Sequence, residues 1–269
     1  MSEASLPIIY FYQNDTPTNE LHGYVQKMDM SAMRDSITPI GKDRQLKLQV
    51  QTYGYPVDGI RYEIRSMDGE RLVAKNDVTD YRDENHVLNA ELTIQNVLEE
   101  ETEYTMLLIL SSGEKEVYYY TRIVQTVASN AQECLNFALK FHSYTFRDDA
   151  DKFIPTYMDA ATGDATTLNY VDLSCTLKQI TWADFDGQKL TEPVASFKEI
   201  NDSYTVITLQ YVMSAQSDGG ETEYYNVEEY YRLRLTSTRM YVLNFERRMN
   251  QIFHGENTFL VDGNAIMLG

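Results

Sequence analysis

Along the first 126 residues, apolar and polar positions alternate one by one. Leu46, Leu48 and Val50 are separated by Lys47 and Gln49, and Ile60, Tyr62 and Ile64 by Arg61 and Glu63. Leu88, Ala90, Leu92 and Ile94 are separated by Asn89, Glu91 and Thr93. Tyr104, Met106, Leu108 and Leu110 keep the same period, and so do Val117, Tyr119, Thr121 and Ile123. A period of two puts one face of a strand in a core and the other in water. Asp68-Gly69 and Ser112-Gly113 supply the positive-φ residues that tight hairpins need. Strands about ten residues apart with turns between them predict a β-sandwich.

Beyond residue 126 the period changes. Ser129-Asn-Ala-Gln132 has the form of a capping box, with Ser129 as N-cap. Behind it Cys134, Leu135, Ala138, Leu139 and Phe141 recur at helical spacing, which predicts a helix ending between Ser143 and Phe146. Asp148, Asp149 and Asp151 open a short second helical piece through Phe153 and Tyr157, with Pro155 in its first turns. Strands are predicted over Val171 to Trp182, Ala195 to Glu199, Tyr204 to Met213, Tyr224 to Leu235 and Arg239 to Phe245. Asp186-Gly187 and Asp218-Gly219-Gly220 read as hairpins between them. The chain thus divides into 1–126 and 127–269. The expected fold class is mainly β plus α+β: an N-terminal β-sandwich, then a helix packed on a curved antiparallel sheet.

One segment carries a resemblance. From Leu92 to Tyr104 the chain reads Leu-Thr-Ile-Gln-Asn-Val-Leu-Glu-Glu-Glu-Thr-Glu-Tyr. This resembles the corner before the sixth strand of fibronectin type III domains, with Leu98, Thr102 and Tyr104 in place and Glu100 where proline is usual. The resemblance implies a fibronectin- or immunoglobulin-like sandwich over about 20–126, with the Tyr104 hydroxyl tied back to backbone. The usual tryptophan of the second strand is missing, and Val50 stands in its region. The order of elements after residue 127 is similar to a cystatin-like or nuclear-transport-factor-like cone. That resemblance implies an interior where an Asp, His or Tyr sits in enzymes of the fold, and His142, Tyr157 and Asp159 are the residues within reach.

Charge then removes function classes. Forty-one acids against 23 bases give a net charge of −18, shared equally between the two parts. Nucleic-acid binding needs a basic face, so none is expected. No apolar run approaches the ~20 residues of a membrane helix, so no membrane insertion is expected. The start, Met-Ser-Glu-Ala-Ser, has neither the basic nor the apolar region of a secretory signal. That fits a cytoplasmic protein, or a surface protein whose signal or anchor is not in this chain.

Candidate chemistry is sparse. His22, His86, His142 and His254 are not spaced as ligands with each other or with Cys134 and Cys175, so no zinc site is expected. Two cysteines among apolar neighbours read as buried thiols, with a bridge between them as the alternative. Asp148, Asp149 and Asp151 read as helix-dipole partners before they read as a calcium site. Asp184-Phe-Asp186-Gly187 lacks the flanking acids of a calcium loop and reads as a turn. No Gly-rich phosphate loop and no nucleophile elbow is present. The tyrosine runs are the most unusual signal. Tyr118, Tyr120, Tyr224, Tyr225 and Tyr230 are the binding candidates, against a reading in which they pack across strands. His142, Tyr157 and Trp182 are the cavity candidates.

No catalytic residues, cofactors or metals are therefore expected. The expected function is a non-catalytic extracytoplasmic module of a bacterial surface protein, supporting protein or cell-wall glycan interaction or assembly. The alternatives are a small-molecule-binding or enzymatic cone in 127–269, and a phage or virion structural component.

Overall fold

The computed structural model describes residues 6–126, 130–159, 167–217 and 220–252, together with the backbone of 260–261 and 265–266. The chain is mostly β, with one long helix. Ten strands come first: β1 (Ile8–Gln13), β2 (Thr16–His22), β3 (Ile37–Ile40), β4 (Gln45–Gln51), β5 (Gly59–Arg65), β6 (Leu72–Val78), β7 (Tyr81–Glu84), β8 (Val87–Thr93), β9 (Glu103–Ser112) and β10 (Lys115–Gln125). They form two sheets, β2-β1-β4-β8-β7 and β3-β10-β9-β5-β6. The alternation read in β4, β5, β8, β9 and β10 is what builds the core. Leu48 lies opposite Ala90 and Val50 opposite Leu88 in one sheet. Tyr62 lies opposite Leu108 and Ile64 opposite Met106 in the other. These inward rows join Ile9, Phe11 and Tyr119 in one buried cluster. Each Leu, Ile, Val, Met or Phe side chain among them contributes about 1.5–3 kcal/mol.

The hairpins at Gly69 and Gly113 form as the sequence implies, with φ of +76° and +58°. The first hairpin, β1–β2, was not foreseen. Its signal is Asn14-Asp15, two turn residues between Gln13 and Thr16, with Asn14 at φ +52°. It is hidden because Ile8-Ile-Tyr-Phe-Tyr is apolar at every position.

At the corner before β9, Leu98 and the Tyr104 ring are buried. The Tyr104 hydroxyl accepts the Glu99 N–H at 3.2 Å. Tyr104→Phe removes that acceptor and is expected to cost about 1 kcal/mol in urea melts, with the core otherwise intact. An unchanged midpoint would mean that the hydroxyl does not secure the corner.

Between β2 and β3 the chain leaves the first sheet as a strap, residues 23–36, over the outer face of β9 and β10. A Cβ at Gly23 would meet Val117 Cγ1 at 2.5 Å, so only glycine lets the chain pass there. Met30 on the strap covers Leu107, Ile109 and Tyr120, and all four are buried. This is why β9 is buried on both faces although its sequence alternates only weakly.

The main elements that follow are α1 (Asn130–Thr145), β11 (Tyr170–Asp172), α2 (Leu177–Ile180), β12 (Gly187–Lys189), β13 (Val194–Ile200), β14 (Thr205–Gln216), β15 (Thr222–Leu235) and β16 (Met240–Gln251), with short 3-10 turns at Ala150–Lys152 and Ile154–Tyr157. The expected N-cap, Ser129, lies outside the described residues, as do Asp218 and Gly219. Cys134, Leu135, Ala138 and Phe141 of α1 share a core with Ile207 and Leu209 of β14, Tyr231 and Leu233 of β15 and Phe245 of β16. The strand expected over 171–182 is corrected. It ends at Asp172, and a second capping box begins α2. The Thr176 hydroxyl accepts the Gln179 N–H at 3.3 Å, and Gln179 Oε1 accepts the Thr176 N–H at 2.9 Å. Trp182 and Ala183 then turn the chain at φ +70° and +51°. The hairpin expected at Asp186-Gly187 is corrected as well. Gly187 begins β12, and β12 and β13 follow one another along β14.

The sheet does not stop at the division near residue 127. β13 pairs with β2 in parallel at Ala195 and Thr18, so one sheet runs from β7 through to β11. Asn19, at φ +53°, lies buried at this crossing. Its Nδ2 donates to Ile37 O at 2.8 Å and to Thr38 Oγ1 at 2.9 Å. Its Oδ1 accepts the Phe197 N–H at 2.8 Å and the Ser196 hydroxyl at 3.3 Å. Ile37 and Val124 of the first part also enter the core of the second.

Candidate functional sites

The inward face of β15 carries Tyr225, Val227, Glu229, Tyr231 and Leu233 by simple alternation. Glu229 is therefore a carboxylate placed in a core, and it is fully buried. Directly across the sheet on β16 stands Arg247, also fully buried. Four side chains answer these charges. The Tyr211 hydroxyl donates to Glu229 Oε1 at 2.7 Å, and the Tyr231 hydroxyl to Oε2 at 2.6 Å. His142 Nδ1, from α1, lies 3.1 Å from each carboxylate oxygen. Arg247 donates to the carbonyls of Ile180 and Gln179 at 2.8 Å each, a cation at the end of α2. Its guanidinium lies 3.6 Å from the centre of the Trp182 ring.

Burial alone would raise the Glu229 carboxyl. His142, Tyr231 and Arg247 outweigh it and hold the group below the usual carboxylate range. Burial and the neighbouring carboxylate push the Tyr211 and Tyr231 hydroxyls far up, so both stay protonated donors. An ionised carboxylate only accepts, so Nδ1 of His142 carries a proton. Its Nε2 is buried without a hydrogen-bond partner.

The sign of the pH dependence follows. A carboxyl with a lowered native pKa adds stability above its unfolded value, near 4.3, and loses it as pH falls through the native value. Urea melts between pH 6 and 3 should show an acid loss in the parent that is reduced in Glu229→Gln. Parallel curves for the two proteins would contradict the assignment.

The cavity candidates separate. His142 and Trp182 come together through Phe146, which stacks on Trp182 at 5.2 Å and meets His142 edge-on at 5.2 Å. Tyr157 does not join them. It packs against Phe137 at 5.0 Å and Phe153 at 5.2 Å, on the side of α1 that carries Phe141. Asp159 is exposed, and its N–H donates to Leu173 O. Beside Phe146 opens a cleft of about 390 Å³, whose lining includes Thr145, Asp148, Asp151, Trp182, Phe185 and Met213. Neither His142 nor Tyr157 lines it. Glu229 and Arg247 were missed by sequence reasoning. Their signal was a charged residue at an inward position of a strand, masked by attention to the tyrosine pairs beside Glu229.

The tyrosine candidates do not form one patch. Tyr224, Tyr225 and Tyr230 lie on β15, with Tyr225 turned inward against Phe185 at 5.6 Å. Tyr118 and Tyr120 lie under the strap. The reading of Tyr120 as a displayed contact is corrected, because it is buried and its hydroxyl accepts the Met28 N–H at 2.7 Å. What stands outward there is the strap itself: Tyr24 is 40% exposed, Val25 69% and Met28 43%. Tyr24 is held by paired backbone bonds to Tyr118, both 2.9 Å.

Both cysteines are buried and unbridged. Burial pushes the Cys134 thiol up to about 11, which makes it a poor nucleophile. Asp149 pairs with Arg147 at 2.7 Å rather than with its neighbouring acids. Among the described residues, no group of three or more His, Cys, Asp or Glu is placed to hold a metal ion, and no helix is long and apolar enough to cross a membrane. No family model matches the chain, and no curated protein matches it.

Proposed function

We propose that this chain is a non-catalytic interaction module of a bacterial surface protein, working outside the cytoplasm. The observation that carries the proposal is the apolar ridge of Tyr24, Val25 and Met28, held out on a strap whose underside is pinned to Tyr118 and Tyr120. A monomer gains nothing by exposing three neighbouring apolar side chains, and a partner that covers them gains their burial. Methionine adapts its shape to the surface it meets. The ridge lacks the fan of polar donors that a glycan requires, which favours a protein partner. The finer fold reading belongs to the same proposal. The strand orders and the Tyr104 tie support a fibronectin- or immunoglobulin-like sandwich in 1–126. A helix laid on β14 to β16 supports a cystatin-like unit in 127–269.

The compartment is tested by protease treatment of intact cells of the producing organism. The proposal expects the protein to be digested without lysis. Protection until the cells are broken would overturn the extracytoplasmic reading. The second reading, a small-molecule site in 127–269, is favoured by the cleft beside Phe146.

A further inference from the structure

The outer face of the first sheet holds an open groove. Alternation along β4 and β8 sends Leu48 and Ala90 into the core and leaves Lys47, Gln49, Asn89 and Glu91 on the outer side. The strand order β1-β4-β8-β7 sets Tyr12 and Asp15 on one side of these four, and Asp80 and Arg82 on the other. The hollow between them is about 410 Å³. Its floor is made of strands, so its side chains start from fixed places. The amides of the groove are linked. The Tyr12 hydroxyl donates to Gln49 Oε1 at 3.3 Å, and Gln49 Nε2 donates to Asn89 Oδ1 at 3.0 Å, which leaves Asn89 Nδ2 as a spare donor. The charged groups are not linked. Lys47 lies directly opposite Glu91 in the register of β4 and β8. Yet the side chains of Lys47, Arg82, Asp15, Asp80 and Glu91 form no ion pair and no hydrogen bond among the described residues. On the other sheet the same opposed arrangement closes: Lys75 reaches Glu63 across β5 and β6 at 3.0 Å.

We infer that this groove binds a neutral oligosaccharide, with one sugar ring beside Tyr12 and its hydroxyls shared between the cations and the carboxylates. Three acids and two bases line the hollow. A strongly charged ligand would satisfy one set and leave the other facing a like charge. A sugar hydroxyl donates and accepts at once, and neighbouring hydroxyls present several such pairs on a rigid ring. They can take hydrogen bonds from Lys47, Arg82 and Asn89 and give them to Asp15, Asp80 and Glu91. Hydrogen bonds to ionised partners are the stronger ones. Tyr12 supplies an aromatic wall for the C–H face of the sugar, with its hydroxyl fixed on Gln49. The strap crosses the other sheet, so the groove stands apart from the docking of the ridge.

The experiment titrates the full chain by calorimetry with three neutral probes, cellopentaose, xylopentaose and chitopentaose. An acidic probe, pentagalacturonate, and a basic one, the glucosamine pentamer, complete the set. At least one neutral probe is expected to bind saturably, and both charged probes about tenfold or more weakly. Lys47→Ala with Arg82→Ala removes two exposed cations that pair with nothing in the protein, so the variant should melt with the parent. Its binding of the neutral probe should fall about tenfold or more. The side-chain amide NMR resonances of Asn89 and Gln49 should move on addition of that probe. No binding of any neutral probe at millimolar concentration would overturn the inference, and so would equal binding of a charged one. Undiminished binding by a folded double variant, or unmoved Asn89 and Gln49 amides, would overturn the groove as the place. Because these readouts use purified chain and sugar alone, failure here leaves the ridge untouched, and failure of the ridge leaves the groove untouched.

Discussion

Glu229→Ala is expected to lower stability by about 3–5 kcal/mol, the largest effect of any single substitution in the C-terminal part. The carboxylate is fully buried and its two oxygens take hydrogen bonds from Tyr211, Tyr231 and His142. Removing it leaves two hydroxyls and an imidazole N–H without an acceptor. It also strips Arg247 of the negative charge across the sheet. A charge left alone in a core costs far more than the pair gains by being there. Combining Glu229→Ala with Arg247→Met should therefore cost less than the sum of the two single changes, because the second removes the charge that the first exposes. Denaturant melts of the four proteins check this. A loss under 1 kcal/mol for Glu229→Ala, or strict additivity, would mean that the cluster is hydrated rather than closed.

The second large effect is expected at Asn19. Asn19→Ala removes both arms of an amide that joins β2, β3 and β13. The Phe197 N–H and the Ile37 carbonyl lose their partner in a buried setting, at about 1–3 kcal/mol each. Alanine also tolerates φ near +53° less well than asparagine does. The total should be about 3 kcal/mol or more, and it should fall on the joint between the two parts. The unfolding transition, followed by fluorescence of Trp182 and by far-ultraviolet circular dichroism, should then separate into two steps. Coincident curves with an unchanged midpoint would show that the joint contributes little.

β4, β5, β8, β9 and β10 were legible because their inward apolar positions keep a period of two, whereas β6 and β7 carry too few apolar positions to show it and were not read. The exceptions have physical causes. β9 is covered on its outer face by the strap, and burial on two sides blurs its alternation; β1 is apolar on consecutive positions although only Ile9 and Phe11 are buried. The segment 171–182 was misread because Val171, Leu173, Cys175 and Leu177 keep a strand period through a turn and into a helix. The capping box of Thr176 and Gln179 was the better signal, since it names a backbone donor and its acceptor. The helix at 130–145 was legible from spacing alone. Of the site, the sequence offered His142 and Trp182 but not what joins them. Tyr211, Glu229 and Arg247 come from three strands, whose register brings them together, and Phe146 joins them from the turn after α1. Tyrosine pairs drew attention because of their number. Alternation sends each pair to opposite faces, so a run of tyrosines is not a surface of tyrosines. Nothing in the local sequence announced the strap, whose Tyr24, Val25, Met28 and Met30 divide between an exposed ridge and a buried underside.

That ridge is where the functional account is most exposed to test. Purified protein is measured for retention on isolated cell envelopes of the producing organism, with the parent compared to a Val25→Asp, Met28→Asp double variant. Val25 is 69% and Met28 43% exposed, and neither belongs to the buried cores, so the variant should melt close to the parent's temperature. Two charges placed in the middle of an interface remove its best-desolvated contacts, and retention should fall at least tenfold. Undiminished retention by a correctly folded variant would contradict the assignment of this chain as an interaction module that docks through its strap.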